Sequence, residues 1–255
     1  MTNLQRYFIE LSYDGTHYHG WQLQPNAVSI QEVLNKAFST ILRQPIYTTG
    51  CGRTDAGVHA RQFFAHFDVD TIDDGAWSMD KVFRSVNYLL PTDIAIKQIF
   101  PVRADANARF DATLRSYEYH IHFHKDPFKA GYSRLLRDRP DITLMNQAAD
   151  IIREYLDFSC FSKSNTQVKT NNCKISRAEW VETDGGIIFH ISADRFLRNM
   201  VRAIVGTLLM VGRAEIAPDD VRAIIESKNR SKAGTSVPAC GLYLTEVRYP
   251  FEAKG

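Results

Sequence analysis

Residues 7–13 alternate, with Tyr7, Ile9, Leu11 and Tyr13 on one side, which is the period of a strand. After a loop containing Gly15 and Gly20, the apolar positions change period. Ile30, Val33, Leu34, Ala37, Phe38, Ile41 and Leu42 recur at helical spacing. Ser29 and Glu32 fit a capping box at the start, and Pro45 bars continuation. Strand patterns follow at 46–51 and 62–68, where Phe63, Ala65 and Phe67 share a face. Ser78 is placed to cap a helix over 79–90 that stops at Pro91, and 94–100 is a short β-rich run. The first hundred residues therefore read βαββαβ.

The second half repeats that order. Residues 115–124 alternate as a strand, and Thr143 is placed to cap a helix through Leu156. Strands at 175–183 and 187–193 flank the turn Asp184-Gly185-Gly186. Met200, Val201, Ile204, Val205, Leu208 and Leu209 form a helical stripe, Pro218 opens a further helix over 219–226, and 242–248 closes with a strand. The expected class is α+β. It comprises two βαββαβ split-βαβ units of ferredoxin or RNA-recognition type, with antiparallel sheets and helices packed on them. The expected division is 1–103 and 104–255, with a central catalytic cleft where the sheets meet. Residues 157–173, rich in Ser, Asn and Lys, read as a mobile loop.

Composition narrows the class only a little. With 255 residues and 44% hydrophobic content the chain is long enough for one large domain or two small ones. The net charge of +2 does not by itself imply nucleic acid, so any RNA surface must come from local clustering. The four cysteines form no CxxC pair, which argues against structural zinc. Neither a signal-peptide pattern nor a long apolar run is present, so the expectation is a cytoplasmic protein with reduced thiols and no membrane contact.

The richest chemistry lies in Gly50-Cys51-Gly52-Arg53-Thr54-Asp55-Ala56-Gly57-Val58-His59. Glycines at 50, 52 and 57 allow tight turning and close approach to a ligand. Asp55 is the only acid between Glu32 and Asp68, with Arg53 two places before it. A carboxylate beside a fixed cation stays ionised and can serve as nucleophile or base. The plainer reading is a turn aspartate bonding its own backbone. Tyr117 begins the strand pattern and shares a face with Tyr119, Ile121 and Phe123. It is either core or a ring presented to a cleft for stacking on a base.

Arg202 stands in an apolar helix, where a guanidinium must find an anion or snorkel to the surface. Arg109, Arg115, Lys125, Lys129, Arg195 and Arg198 make either a phosphate-facing band or a solvated face. His120, His122 and His124 read as a solvent-facing polar side rather than a metal site, and Cys51 as a small buried residue.

Five blocks taken together resemble the tRNA pseudouridine synthase A family. They are Tyr13-Asp14-Gly15 through Gly20-Trp21-Gln22, then Gly52 to Ala60, then Ala108-Arg109-Phe110-Asp111-Ala112 with Arg115-Ser116-Tyr117. Met200-Val201-Arg202 with Gly206 and Pro238-Ala239 with Gly241-Leu242-Tyr243-Leu244 complete the set. The resemblance runs from Tyr7 to Pro250. It implies an isomerase that turns uridine into pseudouridine at positions 38, 39 and 40 of the tRNA anticodon stem-loop. It further implies a homodimer with no cofactor and no metal. By the same resemblance Asp55 is the catalytic aspartate and Tyr117 packs on the target base, while Arg53 and Arg202 meet the flipped nucleotide and the aspartate. Two rivals are a non-catalytic RNA-binding module, which gives Asp55 no purpose, and a hydrolase using Asp55, for which only Asp111 and His59 offer a second group.

Overall fold

The computed structural model describes residues 4–70, 78–162 and 170–251. The chain divides into two units, one comprising 1–113 with 244–255 and the other 114–243. The boundary expected at 103/104 falls earlier in the chain than this division. The stretch 73–77, which fits no sequence pattern, lies outside the described residues, as does 163–169 of the expected loop.

In unit 1, β1 (Leu4–Tyr13), α1 (Ile30–Leu42), β2 (Thr49–Gly50), β3 (His59–Asp70), α2 (Met79–Leu89) and β4 (Ile94–Val102) follow the expected βαββαβ order. β1 is central, antiparallel to both β3 and β4. β2 is shorter than its sequence pattern, pairing with β3 only at Thr49 and Gly50. The caps form as their residue types require. Ser29 accepts from the Glu32 N–H and Ser78 from the Lys81 N–H, each satisfying a donor that the first helical turn leaves unpaired.

Ile9, Leu11 and Phe63 are wholly buried on the face they share with Phe67, whose ring meets Phe38 of α1 at 4.8 Å. The opposite face of β1 is also covered. Phe8 meets His66, Phe100, Tyr249 and Phe251 in an aromatic cluster, with ring centroids 5.4–6.0 Å apart.

Unit 2 contains β5 (Leu114–His122), β6 (Arg134–Leu135), α3 (Ile142–Arg153), β7 (Ile175–Thr183), β8 (Gly186–Ala193), α4 (Met200–Gly212) and α5 (Asp220–Glu226). β8 is antiparallel to both β5 and β7. The short β6, not anticipated, runs parallel to the end of β5. Tyr119, Ile121, Phe189, Ile191, Ala178 and Trp180 form one buried face, and α3 packs on β7 and against α4.

The cap of α3 is Asp141, which accepts from the Leu144 N–H at 3.0 Å, and not Thr143. The segment expected to be a mobile loop is anchored where it is described. Phe158, Cys160 and Phe161 are buried in a 3₁₀ turn, and the Phe158 N–H donates to Asn171 O at 3.1 Å. Asp157 is paired with Lys228 at 2.8 Å, and that ammonium pulls its carboxyl down to about 2.

The last strand, β9 (Leu242–Arg248), belongs from Leu244 onward to unit 1, where it lies beside β3. The Val247 N–H donates to Gln62 Oε1 at 2.9 Å. Among the described residues no helix is long and apolar enough to cross a membrane.

Candidate active site

The Asp55 segment connects β2 to β3, and unit 1 holds it from several sides. Residues 55–58 form a tight turn closed by the Val58 N–H donating to Asp55 O at 3.2 Å. Gly57 occupies its left-handed corner at φ +78°, a conformation that a side chain would strain. The loop 14–21 lies against this turn. The Gly57 N–H donates to Tyr18 O and the Trp21 N–H to Thr54 O, at 3.2 and 3.3 Å.

Side chains complete the clamp. β1 has a register irregularity against β3 between Leu11 and Tyr13, a local bulge that re-aims the strand end. From there the buried Tyr13 hydroxyl meets Thr54 Oγ1 at 3.0 Å. Trp21 stacks on Phe63 with centroids 4.3 Å apart. Tyr18 donates its hydroxyl hydrogen to Asp93 Oδ1 at 2.6 Å, fixing the loop to the segment before β4. His59 is buried, with Nδ1 3.0 Å from Asp14 Oδ1 and 3.2 Å from the Gly15 N. The Cys51 N–H donates to Phe64 O at 2.7 Å, and the thiol is buried as expected.

Within this frame Asp55 is half-buried and Arg53 is exposed. Among the described residues, its two chain neighbours aside, a Cβ at Gly52 would meet no atom within 4 Å. The glycine there leaves open space next to Arg53 rather than relieving a contact.

Tyr117 and Arg202 belong to unit 2. Tyr117, half-buried on β5 opposite Ile191, meets Phe196 edge-on at 5.2 Å. Arg202 lies in the first turn of α4. Its Nε donates to Val237 O at 2.7 Å, and the Val237 N–H returns to Arg202 O at 3.2 Å. This segment can approach α4 closely because Gly206 has no side chain, since a Cβ there would stand 2.0 Å from Thr235 O. Asn199, in the left-handed region at φ 65°, donates to Ser236 Oγ at 2.5 Å. Arg202 is thus neither a snorkelling cation nor a buried orphan, because a backbone carbonyl orients its guanidinium.

The alternate histidines do not act as one face. His120 pairs with Glu118 at 2.9 Å, His122 is 4% exposed, and His124 is exposed. Burial lowers the pKa of His122, so it is held neutral rather than facing solvent as expected. Among the described residues no three His, Cys, Asp or Glu side chains group to hold a metal ion.

Of the clamp residues, Tyr13, Tyr18 and Thr54 lie in blocks that carry the family resemblance and Asp93 in none, but nothing in their spacing shows that they meet. Tyr13 fits its strand as core, and its contact with Thr54 spans 41 positions of the chain.

A half-buried carboxylate on a glycine turn, with an arginine two residues away, suits nucleophilic or proton-transfer chemistry. A sequence model of the tRNA pseudouridine synthase family matches residues 11–111 and 155–250. Over 251 residues, and 98% of both chains, the sequence is 53% identical to a tRNA pseudouridine synthase A of Bacteroides fragilis. It is 51% identical over 250 residues to that of Bacteroides thetaiotaomicron, covering 97% of this chain and 91% of the relative. A protein of the same name from Exiguobacterium sibiricum is 36% identical over 252 residues, 99% of this chain and the whole of the relative. The chain belongs to the tRNA pseudouridine synthase family, isomerases that convert uridine to pseudouridine in tRNA. Arg53, Asp55 and Arg202 fall inside the matched segments, and Tyr117 falls between them.

Proposed function

We propose that this protein isomerises uridine to pseudouridine at positions 38, 39 and 40 of the tRNA anticodon stem-loop, with Asp55 as the catalytic carboxylate. The observation that carries the assignment is the clamp on the Asp55 turn. Loop 14–21, Tyr13 and β3 all fix the backbone that bears this one acid. That investment suits a group whose position must be held within tenths of an ångström.

The reaction breaks the N1–C1′ glycosidic bond, turns the uracil and joins C5 to C1′. The C5 proton leaves to solvent and N1 takes one up, so no oxidant or second substrate is needed. The target base must first leave its stack, which is cheapest where stacking and pairing are weakest, as at the end of a stem. Asp55 attacks C1′, attacks C6 or removes the 2′ proton, and each route needs an ionised carboxylate. Arg53 and Arg202 meet the flipped nucleotide and the aspartate. Tyr117 stacks on the detached uracil and keeps water from the reactive sugar, where hydrolysis would leave an abasic site. These roles follow the family resemblance of the motifs that carry the residues.

The enzyme works in the cytoplasm as a homodimer, in which two copies offer an anticodon arm more phosphate contacts than one. Sedimentation at twice the chain mass supports the dimer, and a monomer that remains fully active removes it. The test of function is tritium release from tRNA labelled at C5 of uridine, followed by mapping of the modified positions. Tritium in water with pseudouridine at 38–40 is the expected result. Free uracil indicates a hydrolase, and no release with intact binding indicates a binding module.

A further inference from the structure

Residues 107–111 form a turn tied together by its own polar groups. Asn107 Oδ1 accepts from the N–H groups of Arg109 and Phe110, at 2.9 and 3.1 Å. Asp111 Oδ2 accepts from the Asn107 N–H at 2.9 Å, and the Asp111 N–H returns to Asn107 O at 3.0 Å. The turn is anchored to the body of unit 1 on both sides of Ala108. The Ala108 N–H donates to His66 Nδ1 on β3 at 3.1 Å, and the Tyr249 hydroxyl donates to Ala108 O at 2.7 Å. All of this holds a phenylalanine in solvent, for Phe110 is 78% exposed. The Arg109 guanidinium lies 5.6 Å from the centre of its ring.

An isolated exposed apolar side chain is ordinary. A ring on a turn this rigidly bonded is different, because little backbone freedom remains to be lost when something stacks on it. The pairing with an arginine narrows the chemistry. An aromatic face beside a guanidinium suits a nucleobase, which offers a π surface to the ring and a phosphate to the cation.

We propose that Arg109 and Phe110 form a base-stacking tip, on which an unpaired base of the tRNA substrate other than the reacting uridine rests. The inference builds on the tRNA reading above and adds a contact that the catalytic constellation does not require. Stacking gives a sequence-tolerant hold, which fits an enzyme acting on different tRNAs.

The test measures the dissociation constant of unmodified tRNA for the full-length protein carrying Phe110→Ala, Phe110→Leu, Phe110→Trp or Arg109→Gln. Phe110→Ala and Phe110→Leu weaken binding by about 5- to 100-fold, and Phe110→Trp stays within about threefold of the parent. Arg109→Gln lowers the slope of log affinity against log salt by about one. Melting temperature reports that each variant is folded.

A Leu variant that binds as tightly as the parent, or an Ala variant with unaltered affinity, overturns the proposal. So does a change in sedimentation of Phe110→Ala without tRNA, which would make the tip a contact between protein copies. Because the readout is binding, it separates from the function reading, which fails if the parent releases no tritium.

Discussion

Gly20 abuts Thr54: a Cβ on Gly20 would stand 2.2 Å from the Thr54 carbonyl oxygen and 3.0 Å from the Asp55 carbonyl carbon. Gly20 also sits at φ +84°, where a side chain is strained. A residue remote in sequence therefore sets how closely loop 14–21 can press on the turn that carries the acid. Gly20→Ala combines a left-handed penalty of about 1–2 kcal/mol with overpacking of about 1–3 kcal/mol. The expected result is a melting temperature lower by about 5–15 °C and a reduced kcat. Gly52→Ala is the comparison, because its added methyl meets no described residue beyond its chain neighbours and its melting temperature should stay near that of the parent. Equal melting temperatures for both variants would show that the Gly20 contact is not tight.

His66 gives the fold an acid sensitivity of known sign. Burial pushes its pKa from 6.5 down to about 4, and Arg6 adds to the shift. Its Nδ1 is consequently available to accept from Ala108. The unfolded chain takes up this proton near pH 6.5 and the folded chain only near 4, so the unfolded state binds more protons between these values. Stability from this group is fully present above about 6.5 and is lost as pH falls toward 4, by at most about 3.4 kcal/mol. Asp68, held below the usual carboxylate range by its paired Arg6, loses its contribution only at lower pH still. Denaturant melts at pH 7 and 5 check the sign. The parent loses stability over that interval, and His66→Gln, which keeps an acceptor but does not titrate, loses less. Identical slopes would assign the acid sensitivity to other groups.

Arg202 is held by the Val237 carbonyl at 2.7 Å, so its guanidinium is oriented before substrate arrives. Arg202→Ala should lower the single-turnover rate by about 10²-fold, in the range seen when one preorganised donor is removed. tRNA affinity should fall far less. Arg202→Lys should restore little, because an ammonium cannot keep one donor on Val237 and present a planar fork elsewhere. A loss of affinity with an unchanged single-turnover rate would make Arg202 a phosphate contact instead.

Local signals in the sequence carried most of the elements. Ser29 and Ser78 cap the helices they precede because their hydroxyls match unpaired N–H groups within three residues. Asp141 outcompetes Thr143 for the same reason, and the apolar phase of α3 accommodates either start. What local pattern could not carry is pairing over distance. From Leu244 onward β9 runs beside β3, a strand about 180 positions earlier that no local pattern pairs with it. Phe8 lies off the alternating Tyr7, Ile9, Leu11 face, and the rings that meet it, Tyr249 and Phe251, come from the far end of the chain. The acid itself stood out because glycines and an arginine surround it. Tyr13, Tyr18 and Trp21 belong to a block that carries the family resemblance, but their role as a clamp was not legible, because only folding brings them to the turn.

The most direct measurement is turnover and tRNA binding by Asp55→Asn, which keeps the side chain's size and removes its charge. Tritium release from C5-labelled tRNA should fall to background while the dissociation constant for tRNA stays within about threefold of the parent, since a carboxylate proposed to work on the sugar or base leaves untouched the phosphates that dominate affinity. A variant that still isomerises uridine at a substantial fraction of the parent rate would contradict the assignment of the reaction to this carboxylate.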